Sequence, residues 1–254
     1  MRVQSKLQHS KDSFMKVVNV VHLGITDYKT AWDLQRKSFD LRIEGKITDT
    51  VIMNEHHHVY TIGKSGDQNH LLAGVEELKE KGADVFFTDR GGDVTYHGPG
   101  QLVGYPILRL GDYYLDVHRY LRDIEELIIR TLSEYGIEGS RDENLTGVWV
   151  GNEKIAAIGV KVSHWVTMHG FALNVNTDLS YFERIIPCGI FHKGVTSMNH
   201  LLGKSISLDE VSSRVLSHFG EVFNVEIREN DAPAFMQSLD QLIMEKEQCL
   251  QTAT

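Results

Sequence analysis

A glycine-rich stretch at residues 90–106 carries the densest group of polar side chains suited to holding a ligand. It reads Arg-Gly-Gly-Asp-Val-Thr-Tyr-His-Gly-Pro-Gly-Gln-Leu-Val-Gly-Tyr-Pro. Glycine lets backbone amides approach a ligand closely or adopt a positive φ, and a cation, a hydroxyl and an imidazole stand between the glycines. A linker would be richer in Ser, Lys and Glu. The pattern indicates a binding site, with two tight turns between strands as the alternative.

Cys188 is the candidate nucleophile of the chain. Pro187 fixes φ before it and Gly189 loosens the chain after it, which places the thiol on a turn instead of along a strand. Because a free thiol titrates at about 8.5, a nucleophilic cysteine needs a cation or a base nearby. A lone cysteine is otherwise most often a small buried hydrophobe, and we assign no role to Cys249.

Two lysines compete as the cation that would activate this thiol. Lys154 directly precedes the apolar strand 155–159, which would hold its partly desolvated amine at a sheet edge. Lys161 lies seven positions further along, and because side chains alternate along a strand it should point to the opposite face. A solvated surface lysine is the alternative for both.

Two segments that contain histidine add further candidates. His169-Gly170-Phe171-Ala172-Leu173-Asn174-Val175 has small residues that would let an elongated apolar ligand pass, so it predicts either a second pocket wall or a plain core strand. The triplet at 56–58 fits a metal poorly, because adjacent strand residues face opposite sides and cannot all bind one ion. We predict no metal site.

Composition narrows the class of protein. The 254 residues are 41% hydrophobic and 24% charged, as in soluble globular proteins. The net charge of −9 argues against a general nucleic-acid binder, and no apolar run approaches the roughly 20 residues of a membrane span. Two cysteines are too few for a disulfide framework. We expect a cytoplasmic protein with no nucleic-acid or membrane partner and a flexible N-terminal extension at 1–15.

The elements that must position these residues follow from periodicity and turn signals. Strands are predicted at 17–23, 50–53, 59–62, 84–88, 102–110, 147–150, 155–162, 166–175 and 222–227. Helices are predicted from a cap at 26–27 to Gly45, and at 71–80, 115–132, 208–219 and 232–249. Several strands are adjacent through short turns, which favours an α+β (α/β) domain with a mixed sheet flanked by helices.

Taken together and in order, these segments resemble a known family. Residues 90–106, 154–159 and 169–175, with 187–189 followed by 194–197, are similar to the lipoyl(octanoyl) transferases, the octanoyl-acyl-carrier-protein:protein N-octanoyltransferases of lipoate biosynthesis. The resemblance extends from about Val17 to Phe219. It implies that 16–254 form a single catalytic domain with a biotin/lipoate protein ligase-like fold.

The resemblance also implies roles for individual residues. Cys188 matches the cysteine that carries the acyl group as a thioester, and Lys154, not Lys161, matches its partner. The positions that match the walls around the acyl chain and its carbonyl are Arg90, Gly91, Gly92, Asp93, Val94, Thr95, Tyr96, His97, Ala157, Ile158, Gly159, Gly170, Phe171 and Ala172. His58 stands where proline is more usual, and Phe171 replaces a common leucine, which would narrow the acyl pocket.

The implied reaction uses neither ATP nor a cofactor. Cys188 would attack the octanoyl thioester of octanoyl-acyl carrier protein, and Lys154 would lower the pKa of the thiol and later accept a proton from the incoming lysine amine. Backbone amides of the glycine-rich turns, with His97, would stabilise the oxyanion. The implied acceptors are lipoyl domains of 2-oxoacid dehydrogenase complexes and the glycine cleavage H protein. Because these partners tend to be acidic, a basic rim is expected, with Arg109, Arg119 and Arg122 as candidates.

Three other functions stay open. An ATP-dependent lipoate-protein ligase would need a phosphate-binding loop and no nucleophilic cysteine. An octanoyl amidotransferase that acts between lipoyl domains would also use Cys188. A non-catalytic module that binds acyl carrier protein would only store the acyl group.

Overall fold

The computed structural model describes residues 15–186 and 194–252. Cys188 and the predicted N-terminal extension, except Met15, lie outside the described residues. The strands of the described part are β1 (Lys16–Thr26), β2 (Thr50–His56), β3 (Val59–Ile62), β4 (Asp84–Phe87), β5 (Val94–His97), β6 (Gln101–Ile107), β7 (Ser140–Arg141), β8 (Val148–Val150), β9 (Glu153–Ser163), β10 (Val166–Asn174), β11 (Gly194–Val195) and β12 (Val225–Asn230). The α-helices are α1 (Tyr28–Ile43), α2 (Val75–Glu80), α3 (Val117–Ser133), α4 (Met198–Leu202), α5 (Leu208–Phe223) and α6 (Ala232–Thr252). Short 3₁₀ turns cover Gln68–His70, Leu110–Asp112 and Leu179–Arg184.

The larger sheet is mixed, as the sequence predicts. Its strand order over the described residues is β12-β1-β2-β6-β10-β9-β8-β7, with β11 beside β9. β1 runs parallel to both β12 and β2. From β2 to β7 in this order, each strand pairs antiparallel with the next, while β11 runs parallel to β9.

Helices cover both faces of this sheet. Successive strand residues point to opposite faces, so Val20 joins the core under α3 and α5 while Val21 joins the core under α1 and α6. A strand buried on both faces has no need of polar alternation, which explains why every residue of β10 is buried. The mixed sheet flanked by helices is confirmed.

A smaller sheet carries the glycine-rich stretch. β3 lies between β4, to which it is parallel, and β5, to which it is antiparallel. Its core is aromatic, with Tyr60 and Tyr96 buried beside Phe182 from the third 3₁₀ turn. The stretch predicted as turns is therefore a turn followed by strand β5, because Val94 to His97 pair along β3.

Several predicted boundaries differ from the structure by three residues or more, and two of them have a clear physical cause. The predicted helix 71–80 is a 3₁₀ turn at Gln68–His70 followed by α2, which begins only after Gly74. The last strand begins at Val225, not 222, because α5 continues to Phe223, whose ring packs 4.5 Å from that of Phe219. Asn224 in the left-handed region then ends the helix.

Gly170 is a position where two strands leave no room for a side chain. A Cβ there would lie 2.1 Å from the carbonyl oxygen of Gly104 on β6. We expect Gly170→Ala to lower the free energy of unfolding by about 2 kcal/mol, because the backbones of β6 and β10 must separate. Urea denaturation measures this. Gly111→Ala is the control, since a Cβ there meets only a leucine methyl at 3.7 Å, and an equal loss in both variants would contradict the prediction.

Candidate functional site

A cavity of about 430 Å³ lies where the glycine-rich turn and β5 face β6, β9 and β10. Lys154 lines it, as do all the residues predicted to surround an acyl chain except Tyr96. The predicted residues that the cavity brings together are Arg90, Gly91, Gly92, Asp93, Val94, Thr95, His97, Ala157, Ile158, Gly159, Gly170, Phe171 and Ala172. Three distant parts of the sequence thus form one site.

Tyr96 lies behind the cavity wall instead of in it. Its ring stacks on that of Tyr181 at 4.8 Å between centroids, and its hydroxyl forms a hydrogen bond with Nδ1 of His58 at 2.7 Å. Side chains alternate along β5, so Tyr96 points into the small-sheet core while Thr95 and His97 line the cavity. Tyr96 therefore supports the wall and does not line the cavity.

The glycine-rich turn is held by backbone contacts that only glycine permits. The Gly91 N–H donates to the carbonyl of Val160 on β9 at 2.9 Å. A Cβ on Gly159 would lie 2.8 Å from the Gly91 carbonyl oxygen, and one on Gly63 would lie 2.2 Å from that of Gly92. These glycines allow the close approach of main chains that forms the wall.

Arg90 lines the cavity, and its guanidinium also binds backbone carbonyls of the cavity wall. It is buried and donates to the Thr61 carbonyl at 2.7 Å, the Asp93 carbonyl at 2.7 Å and the Gly91 carbonyl at 3.0 Å. A buried cation is costly unless its donors are satisfied. Arg90 thus fixes the shape of the turn.

His97 belongs to a buried hydrogen-bond chain. Its Nδ1 lies 2.8 Å from Oε1 of Gln101, whose Nε2 donates to Asn174 at 2.9 Å, and Asn174 donates in turn to the Thr196 carbonyl at 3.0 Å. Burial lowers the pKa of His97 to about 3, so the ring is neutral. With Nδ1–H given to Gln101, Nε2 is an acceptor. The predicted oxyanion-donor role of His97 therefore does not fit this tautomer.

Lys161 is held at the far end of β9 by Asp89. Its Nζ lies 2.6 Å from one carboxylate oxygen of Asp89, and Nε2 of His169 lies 2.7 Å from the other. The His169 and Lys161 contacts hold the pKa of Asp89 well below its usual range. Burial lowers the pKa of His169. The imidazole therefore donates Nε2–H to the carboxylate as a neutral ring.

Lys154 and Lys161 lie on the same face of β9, contrary to the prediction. The pairing of β8 with β9 shifts register between Val148 and Trp149, and both Ile155 and Ala156 join the core under α3 and α5. One extra residue in a strand reverses the alternation beyond it. Lys154 is also not at a sheet edge, because β8 pairs with it on one side and β11 on the other.

The described chain on either side of the Cys188 segment is anchored at this site. Before it, the Ile186 N–H donates to the His70 carbonyl at 2.8 Å, and the His70 ring contacts Asp93 of the glycine-rich turn at 2.5 Å. After it, Val195 pairs with Lys154, and the Thr196 N–H donates to the Lys154 carbonyl at 3.0 Å. Both ends therefore meet cavity-lining residues.

Several contributors to the site escape sequence reasoning. Leu121 on α3 and residues 144–146 line the cavity, and His70 supports its wall. No local spacing signals these contacts, because the partners are far apart in the chain. Of the predicted basic rim, Arg109 instead donates to the carbonyls of Arg42 and Ile43 at the end of α1.

The three histidines of the triplet have different surroundings, because β2 ends at His56 and His57 and His58 lie in the turn before β3. His56 is buried against Tyr105, His57 is exposed, and His58 stacks on Tyr181. Over the described ranges, no group of three or more His, Cys, Asp or Glu side chains is arranged to hold a metal ion. No helix in the same part of the chain is long and apolar enough to cross a membrane.

The buried neutral histidines predict a pH dependence of stability. Burial lowers the pKa of His97 to about 3 and that of His56 to about 4, from 6.5. Between pH 6.5 and 4 the unfolded chain takes up protons that the folded chain does not, so stability falls as the pH falls. At pH 5 each group should cost about 2 kcal/mol relative to pH 7.

Urea denaturation of His97→Gln at pH 7 and pH 5 tests this. The variant should lose less stability than the wild type over this interval, whereas His57→Gln, at an exposed position, should keep the wild-type loss. An unchanged loss in His97→Gln would contradict the prediction.

The sequence is similar to known proteins over most of its length. Residues 27–220 match the model of the lipoyl protein ligase A/B catalytic domain. The chain is 53% identical over 230 residues to an octanoyltransferase of Christiangramia forsetii, which covers 84% of this chain and 98% of that protein. It is 55% identical over 201 residues to an octanoyltransferase of Rubrobacter xylanophilus, which covers 78% and 90%.

Solved structures share the fold at low sequence identity. Lipoate-protein ligase A bound with ATP superposes with a TM-score of 0.70 at 16% identity, over 92% of this chain and 95% of that one. The bipartite lipoate protein ligase of Thermoplasma acidophilum gives 0.66 at 18% identity, over 92% and 93%. At these identities the likeness shows the fold alone.

Proposed function

Because the chain belongs to the lipoyl protein ligase A/B catalytic domain family, as an acyltransferase of the octanoyltransferase group, we propose that it moves an octanoyl group from octanoyl-acyl carrier protein to the lysine of lipoyl domains through a thioester on Cys188. One observation carries the proposal. Lys154 lies on a largely apolar cavity, and β11, which follows the Cys188 segment, pairs with the Lys154 backbone. The chain that leaves the Cys188 segment therefore returns beside Lys154, which supports the pairing of nucleophile and cation that the proposal requires.

In the first step, the Cys188 thiolate, stabilised by the Lys154 ammonium, attacks the carbonyl carbon of the donor thioester. A new C–S bond forms, the old one breaks, and the leaving thiolate takes a proton from Lys154. In the second step, the neutral lysine amine of the acceptor attacks the acyl-enzyme. Its proton passes to Lys154, the amide C–N bond forms, and the Cys188 thiolate is restored. Exchange of a thioester for an amide is downhill, so no ATP is consumed.

The walls of the cavity suit an extended acyl chain. Ala157 and Gly159 on β9 face Ala172 and Gly170 on β10, and these small residues leave a channel over the sheet. The expected narrowing by Phe171 is offset at Gly104, because the phenyl ring occupies the space above that glycine, where a Cβ would lie 2.3 Å from Cζ. Backbone amides of the glycine-rich turns remain the candidate oxyanion donors.

The alternative functions make different demands on the chain. The fold is shared with ATP-dependent lipoate ligases, so fold does not separate them from transferases. The relatives at about half identity are named octanoyltransferases, which favours transfer over ligation.

Lipoyl domains of 2-oxoacid dehydrogenase complexes and the glycine cleavage H protein are the proposed acceptors, and the cytoplasm is the proposed location.

Intact-protein mass spectrometry tests the acyl-enzyme. After mixing with octanoyl-acyl carrier protein without ATP, the wild type should gain one hydroxylamine-labile octanoyl group that chases onto a lipoyl domain, and Cys188→Ala should gain none. Lys154→Ala should slow transfer by about 10²-fold or more, as expected for loss of an acid–base group. Lys161→Gln is the matched control and should keep transfer within a few-fold.

The outcomes separate the candidates. Lipoyl-domain modification that appears only with ATP would replace the transferase by a ligase. Acylation of Cys188 from an octanoylated lipoyl domain, but not from the carrier protein, would favour the amidotransferase. Transfer that persists in Cys188→Ala would remove the thioester from the mechanism.

A further inference from the structure

Glu125 is a buried carboxylate that the mechanism above does not use. It lies on α3, its side chain is 1% exposed, and it accepts from the Gly147 N–H at 3.0 Å. Arg122 contacts it at 2.7 Å and Arg141 at 3.3 Å. A carboxylate buried at this depth requires such partners. The arrangement joins α3 and β7 to the segment that enters β8.

The Lys154 side chain lies beside Gly147, which directly precedes β8, and beside Trp149 on β8. Gly147 has φ 132°, and a Cβ there would lie 2.7 Å from the Ala156 carbonyl oxygen and 3.4 Å from Cε of Lys154. The Gly147 backbone therefore runs along the aliphatic stem of Lys154. Two residues later, the Trp149 ring centroid lies 4.8 Å from Lys154 Nζ, within the range of a cation–π contact.

The same segment forms part of the cavity. Asn144, Leu145 and Thr146 line it directly before Gly147. The Asn144 and Leu145 N–H groups donate to the Asp142 carboxylate, which tightens the turn that leads into this wall. A shift of Gly147 would thus displace both the wall and the stem of Lys154.

We propose that Glu125 is a positioning residue, which holds the Gly147 backbone and through it sets where the Lys154 amine stands in the cavity. The inference rests on the proposed function, because it is for that chemistry that Lys154 must be placed. A carboxylate suits the task because it offers only acceptors and receives one backbone and two guanidinium donors together. Glutamine would turn an NH₂ group towards at least one of these donors.

The neighbouring Glu126 provides a matched control. Its carboxylate contacts Arg141 and Arg130 and makes no hydrogen bond to residues 142–149 within the described chain. Glu126→Gln therefore removes a charge from the same helix, and a partner from the same arginine, without releasing Gly147. Both variants are made with Cys249→Ser, because Cys249 is exposed and would also react with a thiol reagent.

The experiment compares Glu125→Gln with Glu126→Gln in three measurements. We expect Glu125→Gln to lower kcat for octanoyl transfer about tenfold or more, since small displacements of a reacting group are costly, with KM for the carrier protein within about threefold. The pH profile of Cys188 alkylation by iodoacetamide should move to higher pH, because the cation beside the thiol is displaced. Hydrogen exchange in 142–150 should accelerate. Glu126→Gln should match the wild type in all three.

Distinct results would overturn the inference. A folded Glu125→Gln with faster exchange in 142–150 but wild-type kcat and alkylation profile would show that Glu125 serves stability alone. Where Glu125→Gln does not fold, Glu125→Asp, which keeps the charge but is one methylene shorter, is measured instead. A lower kcat with a shifted alkylation profile would then support the inference, and wild-type values of both would overturn it. Transfer that persists in Cys188→Ala would instead remove the proposed function, whatever the Glu125 variants do.

Discussion

The Arg90 guanidinium connects the two sheets, and the shape of the site depends on it. It binds the Thr61 carbonyl on β3 and the Gly91 and Asp93 carbonyls of the glycine-rich turn, while the Gly91 N–H reaches β9. A guanidinium has five N–H donors in a rigid plane and no acceptor. Burying it therefore obliges carbonyls to converge around it. The cavity is the space that this convergence leaves above β9 and β10.

Glycines allow the turn that Arg90 holds to approach both sheets closely. At Gly63 and Gly159, a Cβ would collide with carbonyl oxygens of the glycine-rich turn, so these residues permit the turn to lie on both sheets at once. The resulting wall is largely main chain held by hydrogen bonds, and its shape is set before any ligand enters. A preformed cavity lowers the ordering cost of binding. Gly159, which the sequence predicts to contact the acyl chain, is therefore also needed for the close packing of the two main chains.

The sequence predicts which segments meet, but not how their side chains are shared between cavity and wall. Mixed-sheet architecture follows from strand spacing, and the family resemblance identifies the cavity segments. The common face of Lys154 and Lys161 is missed because a single bulge at Ile155 reverses the alternation of side chains along β9. Tyr96 is missed because the resemblance marks the whole segment, whereas alternation along β5 turns this side chain into the core of the smaller sheet. His70 and Glu125 are missed because their partners lie more than twenty residues away, where no helical or strand period applies.

The structure supplies a physical reason to prefer one lysine over the other. Along β9, seven residues separate them by about 23 Å. The charge of Lys161 is matched by Asp89 at 2.6 Å, so that amine offers little field to a thiol. Between them, the channel floor is Ala157 and Gly159, uncharged and small. In the proposed mechanism Lys154 is therefore the lysine on the side of the nucleophile, because β11 returns from the Cys188 segment beside it, while the Lys161–Asp89 ion pair and the His169 ring lie at the other end of the channel.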